Sequence, residues 1–192
     1  MEVEVKTLEF WGWYAALETP RAFQDNPDGQ KKYSILAMFP LGADLSGLKN
    51  AASKAMQEKF KDQASSKAKH PKFKSPFREQ GDLVDEGGHL KAGAVVGAIC
   101  VTLSNKVRPS LFLPDKTRAA PDQMYSGAHY VAKLGCYAWL NGGVPGVSFN
   151  LLGLQLVKHG ERLGGTSRLA DADDFDPVAG AEDGADASSL FD

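Results

Sequence analysis

The sequence predicts a mainly β domain of five strands with one inserted α-helix and a disordered acidic C-terminal tail. Three observations predict it: a long hairpin signature from Tyr125 to Leu163, period-2 alternation in two N-terminal segments, and a reversal of charge near residue 170. In the hairpin, Val131, Lys133, Gly135, Tyr137 and Trp139 fall on one face, and Tyr130, Ala132, Leu134, Cys136 and Ala138 on the other, because strand side chains alternate. Asn141-Gly142-Gly143 supplies the turn, since Asn and Gly tolerate the positive φ that tight hairpins require. The return strand, Val147 to Lys158, is nearly apolar on both faces and is expected at the centre of its sheet.

From the N-terminus, Val3 to Leu17 reads as a strand, with Trp11 and Trp13 on one face and Phe10, Gly12 and Tyr14 on the other. Pro20 to Gly29 is a turn region. Lys31 to Phe39 alternates again, with Tyr33, Ile35, Ala37 and Phe39 on one face, and Pro40 ends it. Asp44 or Ser46 can cap the next element, a helix whose apolar stripe is Leu45, Leu48, Ala52, Met56 and Phe60. Lys49, Lys54, Lys59 and Lys61 take its solvated side. Ala94 to Leu103 reads as a buried strand, and Leu111-Phe112-Leu113 as a strand rimmed by Lys106, Arg108, Lys116 and Arg118.

The net charge of −2 conceals a division. Met1 to Leu169 holds 22 basic and 16 acidic residues, a net of +6, whereas Ala170 to Asp192 holds 8 acidic and no basic ones. A basic body with an acidic tail suggests a polyanion ligand. Low hydrophobicity with high net charge predicts disorder beyond Gly164. The boundary expected is a binding domain over 1–165 and a tail over 166–192.

Cys100 and Cys136 both fall in expected strands and are read as buried free thiols. Met1-Glu2-Val3-Glu4 lacks the basic and apolar regions of a secretory signal. The longest apolar run, Ala92 to Leu103, is too short and Gly-rich to span a membrane. A cytoplasmic protein without membrane contact is expected.

Enzyme motifs are lacking. His70, His89, His129 and His159 are scattered, and no short ligand pair such as Cys-x-x-Cys accompanies them. There is no phosphate loop, dinucleotide fingerprint or nucleophile elbow. Neither a metal nor a cofactor is expected. Asp82, Asp85 and Glu86 share one Gly-rich turn with His89. A nuclease metal site would instead draw carboxylates from several elements.

What remains is a binding surface. Gln63 to Arg78 is basic, broken by Pro71 and Pro76, and interrupted by Phe73 and Phe77. Cations interleaved with aromatics suit single-stranded nucleic acid, since charge tracks phosphates while rings stack on bases. The DNA-binding residues expected are Lys72, Phe73, Lys74, Phe77 and Arg78 on this loop, Lys106 and Arg108, and Tyr125, Lys133, Tyr137 and Trp139. Tyr137 shares its face with Lys133 and Gly135 and is preferred over Tyr130 as a stacking ring.

Several blocks carry a family resemblance. They are Tyr125-Ser126-Gly127, the aromatic strand after it, Gly146-Val147-Ser148-Phe149-Asn150-Leu151, Gln155-Leu156-Val157 and Gly160-Glu161-Arg162-Leu163-Gly164-Gly165. With them, Ser75-Pro76-Phe77-Arg78 ahead of Gly81-Asp82 resembles a loop of the phage-encoded single-stranded-DNA-binding proteins of OB-fold type. The similarity runs roughly from Tyr33 to Phe175. It implies an OB-like five-stranded barrel and tolerates the helix read here after the second strand, where the usual order places it between the third and fourth. It also implies sequence-nonspecific binding of single-stranded DNA in phage replication or recombination, inside the infected host cell and without catalysis. In such proteins a tail with acidic residues and a near-terminal Phe recruits replication proteins. Asp173, Asp174, Phe175, Phe191 and Asp192 would so engage a polymerase, helicase or primase. An RNA-binding OB module and a metal-dependent nuclease are the alternative readings, and homo-oligomerisation stays open.

Overall fold

The computed structural model describes residues 2–22, 29–79, 89 and 97–163. Among them are eight strands: β1 (Val3–Lys6), β2 (Phe10–Arg21), β3 (Lys32–Phe39), β4 (Phe77–Glu79), β5 (Ile99–Asn105), β6 (Ser110–Phe112), β7 (His129–Asn141) and β8 (Val144–Lys158). Helix α1 (Ser46–Phe60) continues through a single tight turn, Lys61–Gln63, into α2 (Ala64–Ala68). Five strands close a ring: β2 pairs with β3, β3 with β5, β5 with β8, β8 with β7, and β7 returns to β2. All these pairings are antiparallel except β5 with β8. The five-stranded OB-like expectation is met by this ring, with α1 inserted after its second member.

Of the other three strands, β6 falls where Leu111-Phe112-Leu113 was read as a strand, one residue early, and β1 and β4 were not expected as separate elements. The segment read as one strand from Val3 is two, because Thr7 to Glu9 interrupts it. Both halves still run along the edge of β7. Thr7 bridges them, its N–H donating to the Ala132 carbonyl (2.9 Å) and its hydroxyl accepting from the Ala132 N–H (2.8 Å). β4 and β6 are three residues each, too short to display alternation. β5 runs from Ile99 to Asn105, shifted C-terminally from the expected span, and β8 begins at Val144, three residues early.

The faces of β7 are as expected. Tyr130, Ala132, Leu134 and Cys136 are all buried, with Phe10, Ile35, Phe39, Leu103, Phe149 and Leu151 around them. Gly142 and Gly143 both have positive φ (53° and 81°), as a two-residue turn whose twist matches its strands requires. α1 packs on β7, β1 and β8 through Leu48, Ala51, Ala55 and Met56. The stripe is thus rotated from the expected one: small Ala51 and Ala55 allow close approach to the sheet, while Ala52 and Phe60 pack at its margin. The cap also differs, since Leu45 occupies the N-cap position and the Asp44 carboxylate accepts from the Ser46 N–H (2.9 Å).

Neither cysteine forms a disulfide, and both are buried. Burial pushes the Cys136 thiol up to about 12, so it stays a neutral core group at physiological pH.

The ring is closed by a crossing of backbones at Ser126-Gly127. Gly127 N–H donates to the Gly12 carbonyl (2.8 Å), Gly12 N–H to the Ala128 carbonyl (3.0 Å), and Leu163 N–H to the Ser126 carbonyl (2.8 Å). The Trp11 indole donates to the Gly127 carbonyl (2.6 Å). Gly127 has φ +106°, and a Cβ there would lie 1.7 Å from the Glu161 carbonyl oxygen. Both space and conformation exclude a side chain. Gly127→Ala is therefore expected to destabilise the fold by at least about 2 kcal/mol. The check is denaturant unfolding of the full chain, where the midpoint should fall substantially at unchanged slope.

Candidate nucleic-acid interface

The expected binding residues fall into separate groups. Lys72, Phe73, Lys74, Phe77 and Arg78 lie beside the tip of the β7–β8 hairpin. The Lys74 backbone bridges to β8, its N–H donating to the Pro145 carbonyl (3.0 Å) and its carbonyl accepting from the Val147 N–H (3.1 Å). This places Lys74 in register with Gly146, which is itself opposite Trp139. Paired residues project to the same face of a sheet, so Lys74 and Trp139 belong to one row. The Trp139 indole lies over Gly146, where a Cβ would come within 2.3 Å of the ring, and donates to the Ser148 hydroxyl (2.9 Å). Tyr137, opposite Ser148 and half-buried, stands in the next row of the same face.

The two phenylalanines of the basic segment are turned inward. Phe73 and Phe77 both pack against the core, and Phe77 meets Phe149 edge-on at 6.0 Å. Their partner is the protein interior, which accounts for apolar rings in a hydrophilic stretch. The segment itself begins as helix α2 and ends as β4 on the edge of β5. Lys72 and Lys74 are exposed and have no carboxylate partner among the described residues.

Other expected residues lie apart from this group. Lys106 and Arg108 come after the end of β5, roughly 20 Å along the strand direction from Lys74 at about 3.3 Å per residue. Arg108 is tied to β2, donating to the Glu18 carbonyl (2.9 Å) with its guanidinium 5.8 Å from the Tyr33 ring centre. Lys133 is paired with Glu4 of β1 at 2.7 Å. Tyr125 is engaged by its surroundings: His159 stacks on it at 5.9 Å, the Arg162 guanidinium sits 4.0 Å from its ring centre, and its hydroxyl donates to the Gly160 carbonyl (3.2 Å). Its backbone exchanges two hydrogen bonds with the buried Tyr130 hydroxyl (2.7 and 2.8 Å). Asp82, Asp85 and Glu86, and the tail residues Asp173, Asp174, Phe175, Phe191 and Asp192, lie outside the described residues.

An open cleft of about 380 Å³ is lined by Glu9, Trp11, Met38, Pro40, His129 and Lys158 among others. Glu9 accepts from Lys158 (2.9 Å) and His129 (3.0 Å). The Lys158 hydrogen bond foremost, opposed by slight desolvation and aided by the charges nearby, holds the Glu9 carboxyl below its ordinary range. The cleft's cation is thus already neutralised, which makes it a poor phosphate seat.

The outer face of β2, β3 and β5 carries no residue of the expected site other than Arg78. There Trp13, Leu36, Met38 and Cys100 form a second apolar cluster, flanked by Trp11 and Leu163. Register places Trp13 opposite Leu36 and Leu36 opposite Thr102, and Arg78 donates to the Thr102 hydroxyl (2.7 Å). Tyr14 rises from this face, 57 % exposed. Simple alternation assigns Tyr14 to the face of Phe10 instead. The one signal available was the density of aromatics from Phe10 to Tyr14, which exceeds what one core-facing side of a strand can hold.

No curated protein matches this chain. Among solved structures, the single-stranded DNA-binding protein from bacteriophage Enc34 in complex with ssDNA superposes with a TM-score of 0.57 at 18 % identity, covering 84 % of this chain and 90 % of that one. The crystal structure of gp2.5, a single-stranded DNA-binding protein encoded by bacteriophage T7, gives 0.58 at 15 % identity, over 98 % of this chain and 100 % of that one. At such identities the likeness is one of fold. The family model described as Enterobacter phage Enc34 ssDNA-binding protein matches residues 3–187, nearly the whole chain, and the chain belongs to that family.

Proposed function

We propose that this chain binds single-stranded DNA without sequence specificity and without catalysis, in phage DNA replication or recombination within the infected cell. The observation that carries the reading is the family match over residues 3–187. The geometry supports it. A basic segment lies against the tip of a β hairpin, with Lys74 in one row with Trp139 and next to the row of Tyr137, and neither Lys72 nor Lys74 has a carboxylate partner among the described residues. Phosphates along the lysines and a base on Tyr137 are the arrangement that single strands require. No helix of the described residues is long and apolar enough to cross a membrane.

The test is an electrophoretic shift series with single- and double-stranded oligonucleotides of one length. Retention of the single strand at concentrations that leave the duplex free is expected, and equal retention overturns the reading. Affinity should fall with salt at a log–log slope of about −3, for four to five phosphates at roughly −0.7 each. Tyr137→Ala should weaken binding by about 1–3 kcal/mol at unchanged Tm. A lowered Tm would make Tyr137 a packing residue instead.

We further infer a division between a binding body, 1–165, and an acidic tail, 166–192, that competes with DNA and recruits a replication partner. Its support is the charge split: a net of +6 before residue 170 against 8 carboxylates after it. A tethered polyanion competes at high effective concentration. Truncation after Leu169 should therefore tighten single-stranded DNA binding severalfold at low salt and little at high salt. An unchanged low-salt affinity overturns the competition.

A further inference from the structure

Apolar side chains stand exposed at both ends of the β7–β8 hairpin, and the two ends differ in shape. At the turn, Ala138 and Leu140 continue the row of Tyr130, Ala132, Leu134 and Cys136. That row faces the core, yet Leu140 is 48 % exposed, because the hairpin runs on beyond the interior. The turn end is therefore a projection with an aliphatic side chain on it.

The other end is concave. The cleft of about 380 Å³ is walled by Trp11, Met38, Pro40 and Ala98 and closed off by Glu9, His129 and Lys158. Exposed apolar residues adjoin that lining: Leu8 next to Glu9, Val157 next to Lys158, and Leu41 next to Pro40. Leu41 is 77 % exposed and lies against Gly97, the neighbour of Ala98. Three of the six large apolar side chains exposed among the described residues thus gather at one cleft. Such a grouping marks a protein contact better than scattered exposure does. The rim is already neutral, since Glu9 accepts from both Lys158 and His129. An uncharged aliphatic side chain suits it.

We propose that the occupant is Leu140 of a second copy, so that copies associate head to tail, hairpin tip into cleft. His129 opens β7 and Leu140 stands 11 positions later, roughly 36 Å away at about 3.3 Å per residue. A chain therefore cannot fill its cleft with its own tip. A contact between two different patches leaves each added copy with a free tip or a free cleft, and the row grows unless it closes on itself. Charge favours the same pairing. Lys72 and Lys74 beside the tip have no carboxylate partner among the described residues. On the β8 side of the cleft, Gly160 packs beside His129, and the exposed Glu161 after it has no cationic partner among them. The neighbouring cations are committed, Lys158 to Glu9 and Arg162 to the Tyr125 ring.

The test is sedimentation velocity of the full chain without DNA, so its outcome is independent of the single-stranded-DNA reading. The natural chain should gain mass with concentration above the 20.6 kDa of one copy. Leu140→Asp spoils the tip, and Leu41→Asp spoils the rim of the cleft. Both positions are exposed, so Tm should hold, and each variant alone should sediment as a monomer. Mixed in equal amounts, the two variants should form a pair and nothing larger, because one intact tip meets one intact cleft. A natural chain that stays monomeric up to its solubility limit overturns the proposal. Growth that either substitution leaves unchanged overturns it too. A mixture that stays monomeric also overturns it, because that result marks a contact between like patches. Should an aspartate variant not fold, Leu140→Ser and Leu41→Ser take their places with the same outcomes expected.

Discussion

The architecture depends on one close approach of backbones, at Ser126-Gly127. β2 and β7 are joined by only two paired positions, Phe10 with Tyr130 and Trp11 with His129. So short a ladder leaves the ring to be closed by what surrounds it. The Ser126-Gly127 peptide meets Gly12 and Leu163 in backbone hydrogen bonds and accepts the Trp11 indole. Tyr130 adds a buried hydroxyl that both accepts from and donates to Tyr125. Desolvation holds this phenol far above its ordinary range, so it is a permanent O–H donor. Three chain segments distant in sequence are fixed by groups that only their mutual contact satisfies.

Much of this was legible in the sequence, for a physical reason. The β7–β8 hairpin is long, regular and bounded by Asn-Gly-Gly, so alternation and turn chemistry agree along both of its strands. The helix and β3 were legible for the same reason. Bulges were not. Tyr14 and Ala15 interrupt alternation within β2, and β8 slips where Lys133 pairs with Gly153 and Leu134 with Leu151. A bulge reverses the faces of the residues beyond it, and no propensity marks where it falls. The site suffered accordingly. Tyr137 lies on the face that alternation assigned to it because its strand is regular there, whereas the face of Tyr14 was hidden by its bulge. Phe73, Phe77 and Tyr125 were expected as DNA-binding rings, and the contacts they make here are within the chain.

Charge is organised more finely than a net of +6 suggests. Lys133 and Lys158 are each held by a carboxylate, and Arg108 is committed to a backbone carbonyl. Lys72, Lys74 and Arg78 have no carboxylate partner among the described residues, and all three lie between the hairpin and the outer face of β5. They stand where β5 and β8, paired over only two positions, splay apart to admit Lys74 and β4. Three of the cations without a carboxylate partner among the described residues thus border the seam that the sheet does not close with its own ladder.

The pairing of β1 has a consequence for biosynthesis. Its partner among the described strands is β7, with Val3 opposite Cys136, 133 positions later. On the ribosome the first strand emerges long before the strand that covers it, and ring closure at Phe10 and Tyr130 waits equally. Such distant pairing slows folding and leaves an unpaired edge on the nascent chain. Glu2, Glu4 and Lys6 alternate with Val3 and Val5 along that edge. Charges so placed are what keeps a waiting strand from pairing with its counterpart on a neighbouring chain. In a cell making many copies at once, that restraint protects the yield of folded protein.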